Sequence, residues 1–305
     1  MATLNPVGVV PIPAESRRRS LRDTLHAKPC IRVIEAHSAM CAILADSVGI
    51  EHDAQRIEYD ALWSGSLTDA AARGKPDTGV LDIRYRLSNI DDILDVTTRP
   101  MIVDADSGGY AEHFSINVRT LERHGVSAVI IEDKVGLKKN SLLGTSAEQA
   151  QESIPAFCDK IARGKAAQAA ADFMIIARVE SLVLDAGMDD ALRRACAYVE
   201  AGADGVMIHT NRAQPDEILD FAARFRASHP GVPLVCVPTR LADVPFDEFA
   251  RHRFNVVIYA NQLLRAAYPA MREVALSILR EGRTLAVEAQ CMPVEDILNL
   301  IPGTR

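Results

Sequence analysis

The chain has 305 residues, of which 48% are hydrophobic and 25% charged, and its formal net charge is −7. That length admits one large domain or two ordinary ones, and the composition is that of a globular protein with a sizeable core. The acidic balance, with no block of like charge beyond Arg17-Arg18-Arg19, argues against a nucleic-acid partner, and no run of 18 apolar residues points to a membrane span.

Residues 1–20 carry three prolines and little periodicity. They read as a flexible arm, with its three arginines in solvent. The apolar run from Val7 to Ile12 is short, is interrupted by Pro11 and precedes the basic residues, so it does not read as a signal peptide. Six cysteines (Cys30, Cys41, Cys158, Cys196, Cys236 and Cys291) are scattered, with no pair at CxxC spacing. A reducing cytoplasm is the expected location.

From residue 21 onward, short apolar runs alternate with amphipathic stretches. The runs predict eight strands: Ile31–His37, Tyr59–Ser64, Pro100–Ala105, Ala128–Asp133, Phe173–Val179, Gly205–His209, Pro233–Pro238 and Asn255–Ala260. Most are continuously apolar, as strands covered on both faces are. Between them, Ser146 and Gln149 have the spacing of a capping box, with Pro155 as a possible break and Gly164 as a stop. Met188–Ala201 reads as a helix stopped by Gly202. Eight repeated units predict a (β/α)8 barrel of the TIM type over residues 21–268. An open doubly wound sheet is the alternative, weakened by the lack of a GxGxxG turn after the first strand. Residues 269–305 read as a C-terminal helical segment, with an amphipathic helix at Met271–Glu281 and an apolar stretch at Val294–Ile301.

Polar residues gather at the C-terminal ends of these strands, where a barrel keeps its active site. They are Glu35 and His37, Trp63 to Ser66, Asp104 and Asp106, Glu132 to Lys134, Arg178 and Glu180, His209 with Thr210, and Asn261. Asp104 and Asp106, spaced i, i+2, share one face of an ideal strand. With Glu132 they form a set of hard oxygen donors suited to Mg²⁺, or to Mn²⁺. In the competing reading one Asp caps the next helix and the other pairs with Arg178. Arg178 offers a planar fork for a carboxylate or phosphoryl group, and His209 stands beside it. The Trp63-Ser64-Gly65-Ser66 turn offers backbone N–H groups to an oxyanion, or is an ordinary tight turn. Val135 to Gly144 is either a lid carrying Lys138 and Asn140 or a solvated loop.

The run Glu132-Asp133-Lys134, then five residues, then Asn140-Ser141 resembles the motif of phosphoenolpyruvate mutases in the isocitrate lyase/phosphoenolpyruvate mutase superfamily. Glu35-Ala-His37, Trp63, Asp104-Ala-Asp106 and Ala177-Arg-Val-Glu180 support it. The similarity runs from about Leu21 to Asn261 and on through the C-terminal helices. The resemblance implies the interconversion of phosphoenolpyruvate and 3-phosphonopyruvate. It places Mg²⁺ at Asp104, with Asp106 and Glu132 assisting through water. It puts the pyruvyl group near Gly65 and Ser66, and the phosphoryl group on Arg178, His209 and Asn140. Lys138 takes the lid-lysine position, Asp77 that of a further active-site aspartate, and Ser141 completes the motif. It also implies a homodimer or homotetramer that exchanges C-terminal helices.

Three departures stand out. The strand-2 turn reads Ser-Gly-Ser in place of Gly-Ser-Gly, which leaves the roles of Ser64 and Ser66 open. Ser-Gly-Gly-Tyr follows Asp106, and Leu137 replaces a proline before Lys138. Among relatives, phosphonopyruvate hydrolases carry Thr where the mutases have the loop Asn. The 2-methylisocitrate lyases need a loop Cys, and this chain has none between Cys41 and Cys158. An oxaloacetate decarboxylase and a non-catalytic barrel are the remaining alternatives.

Overall fold

Strands that are apolar on both faces need cover on both faces, and a barrel ringed by helices supplies it. The computed structural model describes residues 12–53 and 55–301. Its eight barrel strands are β1 (Ile31–Glu35), β2 (Ala61–Ser64), β3 (Met101–Asp104), β4 (Ala128–Glu132), β5 (Met174–Val179), β6 (Gly205–Ile208), β7 (Leu234–Cys236) and β8 (Val256–Tyr259). All pair in parallel, and β8 returns to β1 to close the barrel. Each strand falls inside its predicted range.

Side chains alternate between two apolar layers. Ile31, Val33, Ala61, Trp63, Ile102, Ala128, Ile130, Met174, Ile176 and Met207 fill the barrel interior. Their neighbours Ile34, Leu62, Val103, Val129, Ile175 and Ile208 pack outward against the helices. This period of two decides which strand-end residues face the mouth.

The outer ring comprises α2 (Ala39–Ser47), α3 (Ser66–Ala72), α4 (Ile83–Asp95), α5 (Ala111–Arg123), α6 (Ile154–Ala167), α7 (Met188–Glu200), α8 (Asp216–Ser228) and α9 (Phe246–Arg251). The capping box expected at Ser146 is absent: residues 141–146 form a short 3-10 turn. Helix α6 starts later, with Ser153 as its cap accepting from the Ala156 N–H at 3.3 Å. Pro155 sits in the first turn, where it costs no hydrogen bond, so it does not break the helix. Gly164 lies inside α6 and does not stop it. It is small because α5 packs there: a Cβ would meet the Phe114 ring at 2.5 Å and Ile175 at 2.8 Å.

The arm expected over residues 1–20 lies outside the described residues up to residue 11. From Ala14 to Ala27 the chain is helix α1. Two of the three arginines expected in solvent are buried. Arg17 donates to the carbonyls of Leu94 (2.9 Å) and Arg99 (3.3 Å), and Arg18 to that of Glu122. Leu21 joins the barrel-interior cluster. Helix α1 thus covers the end opposite the mouth and satisfies loop carbonyls that would otherwise be orphaned there.

The C-terminal helix α10 (Gln262–Glu281) starts directly after β8 and runs through Pro269, so the boundary expected at 268/269 falls within it. Neither α10 nor α11 (Val294–Leu300) has a buried residue, and Tyr268, Met271 and Leu279 are exposed. Among the described residues no helix is long and apolar enough to cross a membrane.

The α5–α6 contact gives a stability prediction. Gly164→Ala should destabilise the fold by about 1–3 kcal/mol through overpacking against Phe114. Urea unfolding measures it, and an unchanged midpoint would refute the close-packing account.

Candidate active site

On four strands the inward column is apolar up to a polar residue at or just past the strand end. Ile102 leads to Asp104, Ile130 to Glu132, Ile176 to Arg178 and Met207 to His209, all buried at the mouth. Asp104, Glu132, Arg178 and His209 line one narrow cavity of about 60 Å³ together with Trp63, Gly65, Ser66, Asp77, Lys138, Asn140 and Ser141. Eleven of the thirteen expected site residues therefore meet in one place.

Ser64 and Asp106 stand off this cavity. Ser64 follows inward-facing Trp63, so it points outward. Its hydroxyl donates to Asp69 at 2.9 Å, and it accepts from Arg86 at 2.8 Å. Asp106 lies past the end of β3 in a left-handed turn, with φ of 53°. It borders a neighbouring cavity of about 550 Å³. The i, i+2 argument assumed an extended strand, and the chain has already turned there.

Gly65 is required by its surroundings, because a Cβ would meet Trp63 Nε1 at 2.6 Å. That close approach seats the turn against the cavity floor. The Ser66 hydroxyl donates to Asp104 Oδ2 at 2.9 Å.

The segment after β4 closes over the mouth. Lys134–Val135 pairs antiparallel with Ala150–Gln151 and forms its base. Lys138 reaches inward, where its ammonium lies 2.6 Å from Asp77 Oδ1 and against both Asp106 and the Ser66 hydroxyl. Asn140 donates to the other Asp77 oxygen at 2.8 Å and accepts from the Leu142 N–H at 3.0 Å. Of the two readings of this loop, the structure shows the inward-folded one.

A second cluster surrounds Arg178. Its Nε meets Glu180, and its Nη2 lies 2.6 Å from the Ser141 hydroxyl, 2.9 Å from His209 Nδ1 and 3.5 Å from Glu132. Ser141 Oγ also accepts from Lys134 at 2.9 Å. Lys134 in turn lies 3.3 Å from Glu132 and 3.6 Å from Glu180. Lys134 and Glu180 are the supports that sequence reasoning left without roles. Thr239 and Asn261, joined by a 3.3 Å hydrogen bond, line the opposite wall. Thr239 carried no signal beyond its position just past a strand end.

The charge pattern follows from this packing. Burial pushes Glu132 up to about 7, helped by Glu180 and opposed by Arg178 and Lys134. Burial acts on Asp104 too, but Lys138, Arg178 and Arg86 outweigh it and hold that carboxyl below its ordinary value. His209 is lowered by burial and by Arg178. Nδ1 lies 2.9 Å from Arg178 Nη2, which can only donate, and 3.3 Å from Glu180 Oε1; the shorter contact favours Nδ1 as acceptor with the ring proton on Nε2.

The donor set fits a hydrated magnesium ion. Among the described residues, no group of three or more His, Cys, Asp and Glu side chains is arranged to hold a metal. Asp104, Asp106 and Glu132 thus do not converge as a cage of direct ligands. Mg²⁺ keeps most of its waters and needs only one or two carboxylates. The Lys138 ammonium against Asp106 and Asp77 shows that this acid cluster accommodates a cation.

Glu35 and His37 do not line the cavity. Glu35 accepts from the Leu264 N–H at 2.8 Å and lies 2.9 Å from His37 Nδ1, so the two support the rim beneath α10.

The fold and site are those of an α/β barrel with a buried, charge-lined cavity at the C-terminal ends of its strands. Comparison with known proteins narrows the class. The family described as phosphoenolpyruvate phosphomutase matches residues 21–279. The chain belongs to the phosphoenolpyruvate phosphomutase family. It is 35% identical to the phosphonopyruvate hydrolase of Variovorax sp. (strain Pal2) over 93% of this chain and 94% of that one. Its fold superposes on a phosphoenolpyruvate phosphomutase from Streptomyces platensis subsp. rosaceus with a TM-score of 0.86 and 34% identity, covering 95% of each chain. A phosphonopyruvate hydrolase in complex with oxalate and Mg++ superposes with a TM-score of 0.82 and 34% identity, covering 93% of this chain and 94% of that one.

The rim pair predicts a pH effect. Hydrogen bonds with Cys41 and Glu35 push His37 up to about 9, against its partial burial. A raised histidine stabilises the fold fully below its unfolded value of 6.5 and loses that contribution as pH rises through about 9. Unfolding free energy should therefore fall as pH rises from 6.5, with the lowered Cys41 thiol offsetting the fall nearer 9, and His37→Gln should flatten that limb. An identical slope in the variant would refute the pairing.

Proposed function

We propose that this chain is a phosphoenolpyruvate mutase, an isomerase that interconverts phosphoenolpyruvate and 3-phosphonopyruvate in phosphonate biosynthesis. In this reaction the phosphorus–oxygen bond of the enol ester breaks, a phosphorus–carbon bond forms at C3, and no atom is gained or lost. The observation that carries the reading is Asn140, held over the cavity by Asp77 and the Leu142 amide. An amide there gives the travelling phosphoryl group a neutral donor, which keeps it near C3 without activating water.

The other residues divide the work. Gly65 and Ser66 receive the pyruvyl end. Arg178 and the Nε2–H of His209 grip the phosphoryl group, and their hydrogen bonds strengthen as its charge spreads. Lys138 and the lid exclude water, which would otherwise capture the phosphoryl group and release phosphate. Mg²⁺, near Asp104 with Asp106 and Glu132 assisting through water, would neutralise enolate charge when bound. Mn²⁺ has the same donor preference. By family resemblance the working form is a homodimer or homotetramer with exchanged C-terminal helices, and the scattered, unpaired cysteines suit the cytoplasm. The exposed apolar residues of α10 and α11 are consistent with that exchange.

Phosphonopyruvate hydrolysis is the second reading, favoured by the 35% identity to a hydrolase over nearly the whole chain. It uses the same grip but admits water. Phosphorus NMR of phosphonopyruvate with the protein and Mg²⁺ separates the two. Phosphoenolpyruvate is the expected product. Phosphate with pyruvate would replace the mutase reading by the hydrolase one, and an unchanged spectrum would sink both. Asn140→Ala should lower kcat by about 100-fold or more, the usual cost of a lost transition-state donor, while Mg²⁺ affinity changes little. Equal turnover would remove Asn140 from its role.

A further inference from the structure

Arg86 is an unusual residue to find behind an active site. It sits on α4, is 1% exposed, and contacts three other elements. Its Nε pairs with Asp69 of α3 at 2.7 Å. Its Nη2 donates to the backbone oxygen and the hydroxyl of Ser64 at the end of β2, at 2.9 and 2.8 Å. Its Nη1 donates to the backbone oxygen of Asp104 at the end of β3. Ser64 closes the circuit by donating to the same Asp69 oxygen at 2.9 Å.

A planar, rigid guanidinium can serve four acceptors on three residues in fixed directions, and a flexible ammonium cannot. Stability alone does not account for the cluster. Buried ion pairs are weak stabilisers, and the second Asp69 oxygen is buried without a hydrogen-bond partner. What the cluster fixes is the spacing between two strand ends. One leads directly into Gly65 and Ser66, and the other carries Asp104. The departure at Ser64 falls into place here, because its hydroxyl serves Arg86 and not the cavity.

The structure assigns Arg86 a role as a positioning residue: it holds the strand-2 turn and Asp104 in register for cation and substrate, independently of the lid. This rests on the Asp104 metal reading above. Two cations flank the Asp104–Asp106 turn. Lys138 approaches from the loop after β4, whereas Arg86 belongs to the barrel wall.

The test is a titration of the full-length protein with Mn²⁺ alone, read by electron paramagnetic resonance, beside turnover and melting temperature. Arg86→Lys should weaken Mn²⁺ binding by about 10-fold or more, the usual cost of losing an outer-shell support, and should lower kcat with it. Lys138→Ala should bind Mn²⁺ at least as tightly as the parent. A merely structural Arg86 would lower the melting temperature and leave Mn²⁺ affinity and kcat unchanged, which overturns the assignment. If Arg86→Lys does not fold, Asp69→Asn keeps an oxygen for the guanidinium and removes the charge. Asp69→Asn should weaken Mn²⁺ binding in the same direction, and wild-type affinity and turnover in it would overturn the assignment equally. No Mn²⁺ binding by the parent protein would overturn the metal reading and this inference together.

Discussion

Buried charge has to be matched, and the mouth of this barrel is organised around that requirement. Asp77, Asp104, Asp106, Glu132 and Glu180 bring acids together where water is scarce. Lys134, Lys138 and Arg178 pair with Asp77, Asp106, Glu132 and Glu180, the Asp104 carboxylate accepts from the Ser66 hydroxyl, and Arg86 pairs with Asp69 behind them. In a low dielectric such a set holds only if every member has a partner. The lid therefore closes over the site as a charged component of the cluster, and the loop conformation is tied to the electrostatics beneath it.

The matching is supplied in layers. Arg178 is aimed by Glu180 and by the Ser141 hydroxyl, and Ser141 is shared with Lys134. Asp133, buried beneath, accepts from the Glu180 N–H at 2.9 Å and from the Tyr198 hydroxyl at 2.7 Å. It thereby ties the end of β4 to the end of β5. The residues facing the cavity are thus the visible end of a polar network that reaches back to α7.

The strands were legible because apolar runs of four to eight residues have few other readings, and the barrel because eight of them recur. The lining of the cavity was legible for the same reason: a polar residue ending an apolar inward column is conspicuous. Ser64 was misplaced because position in sequence was followed without counting the alternation from Trp63. Asp106 was misplaced because its left-handed turn ends the strand geometry. Arg17 and Arg18 defeated the reading altogether. A basic triplet near a terminus normally faces solvent, and only the tertiary fold reveals carbonyls waiting at the closed end of the barrel. Arg86 escaped for a similar reason. Nothing local to α4 distinguishes it from Arg84, two residues earlier, and its acceptors come from three other elements. Gly164 was legible as special but for the wrong cause, because a helix stop and a helix–helix contact both favour glycine.

Lys138 has one more consequence. An ammonium attached to the chain is a competitor held at a fixed effective concentration, set by the length and stiffness of the loop that carries it. If a cation binds near Asp104 and Asp106 as proposed, it would have to work against that tethered rival as well as against solvent. Its apparent affinity is therefore adjustable from the loop, through Gly136, whose φ of 81° an L side chain rarely adopts, without altering any acid. Selection can retune such a protein for a cation-poor or cation-rich environment by changing its loop, leaving the chemistry at the strand ends untouched.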